Sequence, residues 1–315
     1  MKPAILLMFK PRPELREKLA AHYRLIGPFK SPETELDGAD ARQIVAAVTL
    51  GPIEFGGALI ALLPGLKLIA VYGAGFERVD LDAAWARNIQ ITNGAGGNAS
   101  CVADTAIALL LAAIIRIPQA DALVRSGEWE RMPPRSWIRQ PGVGGRRLGI
   151  LGLGNIGGAI ATRAQAFELE IGYHNRSPRG DVAYCYFPTL AELAGWADYL
   201  VIAAPGNSST RAIVDEDVLQ ALGRSGYLIN IARGSLVDEP ALIRALETGE
   251  IAGAGLDVFA HEPKVAVELR SAPNTVFTPH IGGFSVRSAE NLDVQLMESL
   301  AALSQGRPLA NVLKP

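Results

Sequence analysis

Short apolar runs alternate with longer segments of helical periodicity along almost the whole of this 315-residue chain. Runs that are apolar at every position are typical of strands buried on both faces, as in parallel sheets covered by helices. The pattern predicts ten strands, at residues 4–9, 44–49, 67–71, 90–92, 147–151, 170–174, 199–203, 227–230, 253–256 and 275–278. Ten strands are too many for one small sheet. We therefore expect an α/β protein with two doubly wound parallel-sheet lobes.

A long helical segment and a second strand–helix series predict how the chain divides. Residues 100–125 predict one helix with Ser100 as its N-cap and Asp104 in its early turns. A complete strand–helix series then begins at Arg147, whereas the C-terminal helical segment contains too little sequence to form a domain. We predict a discontinuous first domain, residues 1–98 plus 284–315, and a second domain, residues 99–283, inserted into it.

Composition limits the partners that this chain can have. Thirty Lys and Arg against 32 Asp and Glu leave a net charge of -2, which gives no overall attraction to nucleic acid or to an anionic membrane. The longest apolar run, residues 106–115, is far shorter than the ~20 residues of a membrane span, and no secretory signal is expected. Two cysteines, Cys101 and Cys185, cannot form a disulfide framework or, by their spacing, a metal site. We expect a cytoplasmic protein without a metal.

A glycine-rich turn follows the strand predicted at residues 147–151. Gly152 allows a tight turn, Gly154 lets the backbone approach a pyrophosphate, and Gly157 permits close packing of helix against strand. A helical pattern follows, so the turn has the strand–turn–helix context of a dinucleotide site. The alternative is a turn that only packs a helix on a strand. The predicted cofactor-binding turn consists of Gly152, Leu153, Gly154, Asn155, Ile156 and Gly157.

The next predicted strand ends without the carboxylate that a site selective for NAD usually carries there. It is followed by Asn175, Arg176 and Ser177. Asn175 does not repel a 2′-phosphate, Arg176 can form charge-assisted hydrogen bonds with it, and the Ser177 hydroxyl adds a donor. We therefore predict NADPH in preference to NADH. The alternative is that Arg176 stacks on the adenine of NAD or is solvated.

Three further strand ends carry chemically capable side chains, at the edge where ligands bind in open parallel sheets. Arg233 follows the strand at 227–230, Glu262 follows that at 253–256, and His280 follows that at 275–278. Taken singly, each has a structural explanation, as a surface ion-pair partner, a solvated turn residue and a satisfied histidine. Their order and spacing after a dinucleotide turn favour a catalytic set.

With these motifs, the chain resembles the D-2-hydroxyacid dehydrogenase family over essentially its whole length. Residues 71–80 are similar to the substrate loop of the family, and residues 101–110 to its interdomain helix. The resemblance implies a Rossmann cofactor domain inserted into a flavodoxin-like substrate domain, and a homodimer. Because no acid stands at Asn175, the chain looks most like the NADPH-dependent glyoxylate, hydroxypyruvate and hydroxyphenylpyruvate reductases of the family.

The resemblance also implies roles for the catalytic set. Arg233 would bind the substrate carboxylate and polarise the 2-oxo oxygen, a task that suits its planar fork. His280 would be the proton donor, and Glu262 would stabilise its imidazolium for reduction. Backbone N–H groups near Ala74 and Gly75 would complete the carboxylate clamp.

Other residues are expected around the cofactor and the substrate. Asp257 resembles the family aspartate that accepts a hydrogen bond from the nicotinamide carboxamide, with a packed turn aspartate as the alternative. Tyr72 is expected either to line the substrate pocket or to pack in the core. Backbone contacts to the cofactor are expected from Ala204, Pro205, Ile231 and Ala232.

The expected function is reduction of a small 2-oxo acid by NADPH to a D-2-hydroxy acid. A different class of function, an NAD(P)-sensing regulatory protein without catalysis, is the alternative. A methyltransferase would leave Arg233, Glu262 and His280 without a role. Phe284 is a candidate wall of the substrate pocket, and Trp129 and Trp137 belong either to a dimer interface or to the packing of an arm at residues 127–145.

Overall fold

A computed structural model describes residues 2–131 and 141–314 of the chain. The chain forms two compact units, Met1–Asn98 with Phe284–Pro315, and Ala99–Gly283. Each unit has its own sheet, one with five strands and one with seven, and every strand pair in both sheets is parallel. The predicted fold class, two parallel-sheet α/β lobes, is confirmed.

The strands are β1 (Ala4–Leu7), β2 (Arg24–Ile26), β3 (Ile44–Thr49), β4 (Leu68–Val71), β5 (Gln90–Asn93), β6 (Arg147–Leu151), β7 (Glu170–His174), β8 (Cys185–Tyr186), β9 (Tyr199–Ile202), β10 (Tyr227–Asn230), β11 (Gly253–Leu256) and β12 (Thr275–Phe277). The helices are α1 (Pro13–His22), α2 (Pro32–Glu35), α3 (Gly38–Ala41), α4 (Gly57–Leu62), α5 (Leu81–Ala86), α6 (Ala99–Ile115), α7 (Ile117–Arg125), α8 (Asn155–Gln165), α9 (Leu190–Trp196), α10 (Glu216–Leu222), α11 (Glu239–Glu247), α12 (Val267–Ser271) and α13 (Val286–Gln305).

The five-stranded sheet has the order β2-β1-β3-β4-β5, which is the flavodoxin-like order. Its strands are buried on both faces, because successive side chains point to opposite sides. Leu6 and Ile69 belong to an apolar cluster on one face. Ile5 and Ala70 belong to another cluster, to which α13 contributes Leu296.

The seven-stranded sheet has the order β12-β11-β10-β9-β6-β7-β8. From β6 the chain first builds outward through β7 and β8, and then builds in the other direction from β9 to β12. The strand order therefore reverses beside β6, where doubly wound sheets bind their ligands. Both faces are apolar: Ile150 of β6 lies in one buried cluster and the adjacent Leu151 in another.

Two strands, β2 and β8, were not predicted from the sequence. Of these, β2 has three residues and β8 has two, and each is at an edge of its sheet. An edge strand this short carries no continuous apolar run, and β8 consists of exposed Cys185 and partly exposed Tyr186. The predicted strands are all present, with ends that differ by no more than two residues.

The single helix predicted at residues 100–125 is wrong. Helix α6 ends at Ile115, Arg116 adopts the left-handed conformation with φ 58°, and α7 continues after a bend of 60°. Pro118 lies in the first turn of α7, where its missing N–H is tolerated. In a continuous helix the same proline would remove a hydrogen bond and clash with the preceding turn.

The predicted N-cap at Ser100 is also wrong, because α6 already includes Ala99 and Ser100 lies inside it. The Ser100 hydroxyl accepts a hydrogen bond from Arg163 Nη2 of α8 at 2.7 Å. Asp104, one turn further on, pairs with Nε of the same arginine at 2.6 Å. These polar side chains therefore join α6 to α8.

Part of the predicted arm is visible. After α7, Glu128–Arg131 form a 3₁₀ turn, in which the Trp129 side chain is exposed. Trp137 lies outside the described residues. Over residues 2–131 and 141–314, no single helix has the length and apolar character to cross a membrane, and α6 and α7 meet those criteria only as a bent pair.

Candidate active site

The glycine turn joins β6 to α8, and two of its three glycines meet a backbone requirement. Gly152 has φ +94°, which L side chains rarely adopt. A Cβ on Gly157 would lie 2.1 Å from the Gly152 carbonyl oxygen, so any larger residue would force the helix away from the strand. A Cβ on Gly154, the N-cap of α8, would meet open space. The N-terminus of α8 is therefore accessible, as a phosphate-binding turn requires.

The loop after β7 holds this turn by its backbone. The Leu153 N–H donates to Asn175 Oδ1 at 2.7 Å, and Arg179 Nη1 donates to the Leu153 carbonyl oxygen at 2.8 Å. The Gly152 N–H donates to the His174 carbonyl oxygen at 2.9 Å. Asn175 thus has a structural task that its position in the sequence did not reveal.

Arg179 is a residue that sequence reasoning missed. Besides Leu153, it binds Asp181 through two nitrogens, and the hydrogen bond from Arg179 lowers the pKa of Asp181. The signal available in the sequence was a second arginine in the loop that carries Arg176. The side chains of Arg176 and Ser177 are exposed.

The residues after β9 lie against the glycine turn, and those after β10 follow the next strand of the sheet. A Cβ on Gly152 would lie 2.6 Å from the Ala204 nitrogen, so the Ala204 backbone lies directly against the turn. Pro205 is exposed, whereas Ile231 and Ala232 are buried. Of these positions, Ala204 meets the glycine turn through its backbone.

Arg233 follows β10 in a turn that Asn230 organises. The Asn230 side chain is 1% exposed, accepts the Ala232 N–H at 3.0 Å and donates to the Arg233 carbonyl oxygen at 2.9 Å. Arg233 Nη1 donates to the Ala232 carbonyl oxygen at 2.6 Å. Asn230 therefore fixes the backbone from which the Arg233 side chain extends. Its role was not assigned from the sequence.

Glu262 and His280 are hydrogen-bonded. His280 Nδ1 lies 2.6 Å from Glu262 Oε2, and both side chains are partly exposed, at 46% and 34%. The other carboxylate oxygen of Glu262 accepts the Phe259 N–H at 3.0 Å. His280 itself has φ 55°, and its N–H lies 2.8 Å from the Asp257 carbonyl oxygen. The imidazole is thus held by its own turn and by the carboxylate.

Asp257 directly follows β11, and it is only 2% exposed. Its Oδ1 accepts the Thr278 hydroxyl at 2.6 Å and the Ile281 N–H at 2.9 Å, and its Oδ2 accepts the Gly282 N–H at 2.9 Å. These donors all belong to the turn that carries His280. The Asp257 carboxylate therefore holds the turn that carries His280.

These groups share one edge of the seven-stranded sheet. The glycine turn, Asn175, Ala204, Arg233, Asp257 and His280 follow the carboxyl ends of β6, β7, β9, β10, β11 and β12, respectively. In parallel sheets these ends lie together, and ligands bind there at the point where strand order reverses. The arrangement offers a hydrogen-bonded histidine and an arginine at the same sheet edge as the glycine turn.

The predicted substrate loop lies in the other unit, after β4. The Tyr72 hydroxyl is 2.9 Å from Asp293 Oδ1 and 3.1 Å from the Ala289 carbonyl oxygen. Burial, together with Asp293, raises the pKa of Tyr72 to about 12. Tyr72 therefore packs in a polar network with α13. The Ala74 carbonyl oxygen accepts a hydrogen bond from Asn93 Nδ2 at 2.8 Å.

Gly75 is in close contact with a neighbouring loop. A Cβ on Gly51 would lie 2.7 Å from the Gly75 carbonyl oxygen, so a glycine at 51 allows the two loops to touch. Within the described ranges, no group of three or more His, Cys, Asp or Glu side chains is arranged to hold a metal ion.

Comparison with known proteins identifies the family. Residues 107–282, more than half of the chain, match a family model described as D-isomer specific 2-hydroxyacid dehydrogenase, NAD binding domain. The chain belongs to this family. The resemblance stated from the motifs is therefore confirmed, and the matched residues of this dehydrogenase family member include the glycine turn, Arg233, Glu262 and His280.

Relatives of this dehydrogenase family member match it over nearly the full length. It is 38% identical over 307 residues to glyoxylate/hydroxypyruvate reductase A HPR2 from Arabidopsis thaliana, covering 97% of each chain. It is 37% identical to 2-ketogluconate reductase from Gluconobacter oxydans, covering 96% of this chain and 95% of the relative.

A solved structure is similarly close to this family member. The crystal structure of an NADPH-dependent glyoxylate/hydroxypyruvate reductase from Sinorhizobium meliloti, in complex with NADP and malonate, is 37% identical, with a TM-score of 0.91. The match covers 99% of this chain and 97% of the other.

Proposed function

We propose that the protein transfers a hydride from NADPH to a small 2-oxo acid of the glyoxylate or hydroxypyruvate type, giving a D-2-hydroxy acid. The observation that carries the proposal is the hydrogen bond between His280 Nδ1 and Glu262 Oε2, at the sheet edge that also holds the glycine turn. The names of the relatives support it, since they are reductases of 2-oxo acids or of a keto sugar acid. They do not favour the regulatory alternative.

The residues at this edge fit a dinucleotide. A Cβ on Gly154 would meet open space in front of α8, while Gly152 and Gly157 allow the close backbone contacts that keep the turn tight. The pyrophosphate would be held by the backbone N–H groups of residues 153–157 and the helix dipole. Ala204, Pro205, Ile231 and Ala232 would line the cofactor through their backbone, and Asp257 is a candidate partner of the carboxamide.

The chain supplies the groups that reduction requires. NADPH, when bound, supplies the hydride that forms the new C–H bond at the carbonyl carbon. Arg233 would bind the carboxylate of the substrate and polarise its 2-oxo oxygen through its planar fork. His280 would donate the proton that the resulting alkoxide takes up. With Nδ1 held by Glu262, Nε2 is the nitrogen that exchanges this proton.

We also propose that NADPH is preferred over NADH. Asn175 adds no negative charge at the end of β7, and the exposed Arg176 and Ser177 can bind a 2′-phosphate. Asn175 Oδ1 already accepts the Leu153 N–H at 2.7 Å. The Asn175 side chain thus maintains the turn without repelling the phosphate.

We assign backbone N–H groups near Ala74 and Gly75 to the substrate carboxylate, following the similarity of residues 71–80 to the substrate loop of the family. Phe284, whose side chain is 79% exposed, is a candidate limit on substrate size. Substitution Phe284→Ala is expected to raise activity with bulky 2-oxo acids, such as phenylpyruvate, relative to glyoxylate.

A homodimer completes the proposal. Apolar side chains are exposed on either side of the α6–α7 bend, at Ile115 (43%) and Ile117 (48%), and at Val124 (57%) near the end of α7. We propose that a partner subunit covers them. A dimeric mass by light scattering is the expected result, and a monomer at micromolar concentration would contradict it. We further propose a cytoplasmic location, since Cys101 and Cys185 are unpaired thiols.

The test of the activity is an initial-rate assay at 340 nm with four acceptors: glyoxylate, hydroxypyruvate, pyruvate and phenylpyruvate. Each is offered with NADPH and with NADH. We expect oxidation of NADPH with glyoxylate or hydroxypyruvate, at higher kcat/KM than with NADH. Tight NADPH binding without turnover of any 2-oxo acid would favour the regulatory alternative and refute the proposed reaction.

A further inference from the structure

We infer that Glu239 is a positioning residue for the Glu262–His280 pair; its kinetic consequence rests on the proposed function. Glu239 is the first residue of α11, and its side chain is partly buried. Its Oε2 accepts the Ala260 N–H at 3.0 Å. Ala260 stands two residues before Glu262, in the turn that follows β11. Glu239 therefore contacts the segment that carries the partner of His280.

Two consecutive backbone N–H groups of that turn are bound by carboxylates. The Phe259 N–H donates to Glu262 Oε1 at 3.0 Å, so Glu262 folds back on its own turn. The next N–H, that of Ala260, donates to Glu239 of the neighbouring helix. Glu262 closes the turn, and Glu239 attaches the closed turn to α11.

The peptide bond between Phe259 and Ala260 also contacts the turn that carries Arg233. A Cβ on Gly234 would lie 1.9 Å from the Phe259 carbonyl carbon and 2.4 Å from the Ala260 nitrogen. The residue after Arg233 thus lies directly against the peptide whose N–H Glu239 accepts. The Phe259–Ala260 peptide therefore lies in the turn that carries Glu262 and contacts both α11 and the turn that carries Arg233.

Without the Glu239 carboxylate, the turn that carries Glu262 would lose its hydrogen bond to α11. A misplacement of about 1 Å of a catalytic group can cost on the order of 10²-fold in rate. The hydrogen bond at Nδ1 determines which nitrogen of the neutral imidazole holds the proton. Movement of Glu262 would therefore change both the rate and the tautomer of His280, whereas a purely structural role for Glu239 would change neither selectively.

The test compares three variants in the full chain. Glu239→Asp keeps the charge at the start of α11 but withdraws the acceptor by one methylene. Glu239→Gln keeps the chain length and an acceptor oxygen. Glu247→Asp makes the same shortening at an exposed position at the other end of the helix. Readouts are kcat and KM with hydroxypyruvate, the Kd of NADPH, thermal unfolding, and the His280 tautomer from long-range ¹H–¹⁵N correlation spectra at high pH.

We expect Glu239→Asp to lower kcat by about 10²-fold with little change in the Kd of NADPH, and to shift the His280 proton from Nδ1 towards Nε2, the direction also expected for Glu262→Ala. Glu239→Gln should retain most of the rate and the Nδ1–H tautomer, and Glu247→Asp should match the wild type. An unchanged tautomer in Glu239→Asp, equal damage in Glu239→Gln, or loss of folded protein in Glu239→Asp would overturn the inference. A wild type without turnover would refute the proposed function alone, because the tautomer comparison would still decide the role of Glu239.

Discussion

His280 Nδ1 lies 2.6 Å from Glu262 Oε2, and the second oxygen of Glu262 accepts the Phe259 N–H at 3.0 Å. Both oxygens of the carboxylate are therefore held, one by the imidazole and one by the backbone. A carboxylate fixed in this way holds the ring orientation and determines which ring nitrogen it faces. The Nε2 atom is then the point from which a proton can be given to a substrate.

The close contact at Gly157 predicts a sharp difference between two neighbouring glycines of α8. Gly157→Ala would place a Cβ 2.1 Å from the Gly152 carbonyl oxygen, so the turn must open and NADPH binding should weaken strongly. Gly158→Ala is the matched control, because a Cβ there meets open space and alanine favours a helix by about 1 kcal/mol. Calorimetric titration with NADPH checks both variants. Equal NADPH affinities in the two variants would contradict the role given to the turn.

The loop after β7 predicts how cofactor preference can be changed. Asn175→Asp keeps an acceptor for the Leu153 N–H but adds a charge that repels a 2′-phosphate, and Arg176→Ala removes a cation. Because a hydrogen bond to a charged group contributes about 1.5–3 kcal/mol, we expect the NADPH-to-NADH ratio of kcat/KM to fall by roughly 10- to 100-fold in the double variant. Asn175→Ala is a control for damage to the turn and should weaken both cofactors. Unchanged ratios in the double variant would refute the assignment.

The Tyr72–Asp293 contact distinguishes the two roles considered for Tyr72. If the hydroxyl serves the polar network with Asp293, Tyr72→Phe should cost about 1 kcal/mol of unfolding free energy and leave the KM for hydroxypyruvate unchanged. Denaturant unfolding and steady-state kinetics measure the two effects. A higher KM with unchanged stability would instead place the hydroxyl in the substrate pocket.

The hydrogen bonds of Asp198 predict that the free energy of unfolding depends on pH in the acid range. Burial alone would raise the pKa of Asp198, but hydrogen bonds from the Arg147 side chain and backbone N–H, at 3.2 and 2.9 Å, lower it below its usual value of 3.8. A carboxylate whose pKa is lower in the folded state than in the unfolded state stabilises the fold at pH values above its unfolded-state pKa. This stabilisation is lost as the pH falls through the folded-state pKa. Asp198→Asn should therefore destabilise the protein at pH 7, with a difference that shrinks below about pH 4.

Urea unfolding of the wild type and Asp198→Asn at pH 3 and at pH 7 checks the Asp198 prediction. The exposed Glu247→Gln variant serves as its control and should show little difference from the wild type at either pH. A destabilisation by Asp198→Asn that is the same at pH 3 and pH 7 would show that the Arg147 contact does not act through the charge.

Much of the fold could be predicted because its signals are local. The central strands of both sheets are buried on two faces, so each of them appears in the sequence as an apolar run. The spacing of Gly152, Gly154 and Gly157 indicates the turn directly. Edge strand β8 has two residues and lacks such a run. The bend at Arg116 was missed because apolar residues continue on both sides of it, although Pro118 was a local signal for the break.

The candidate site divides in the same way. Arg233, Glu262 and His280 follow predicted strands and carry chemistry in their side chains, so sequence reasoning could select them. Asn230 acts on the backbone of its own turn and Glu239 on that of a neighbouring turn, and nothing in the sequence says which N–H a carboxamide or carboxylate will accept. The Glu239 contact also depends on how the chain places α11 beside the turn after β11.

The most direct test of the account is the rate of NADPH oxidation by hydroxypyruvate in the wild type and in His280→Ala, with the Kd of NADPH measured for both. A general acid contributes about 10²–10⁴ in rate, so kcat should fall by that factor while the Kd of NADPH stays within a fewfold of the wild type. A His280→Ala variant that turns over hydroxypyruvate at nearly the wild-type rate would contradict the assignment of His280 as the proton donor.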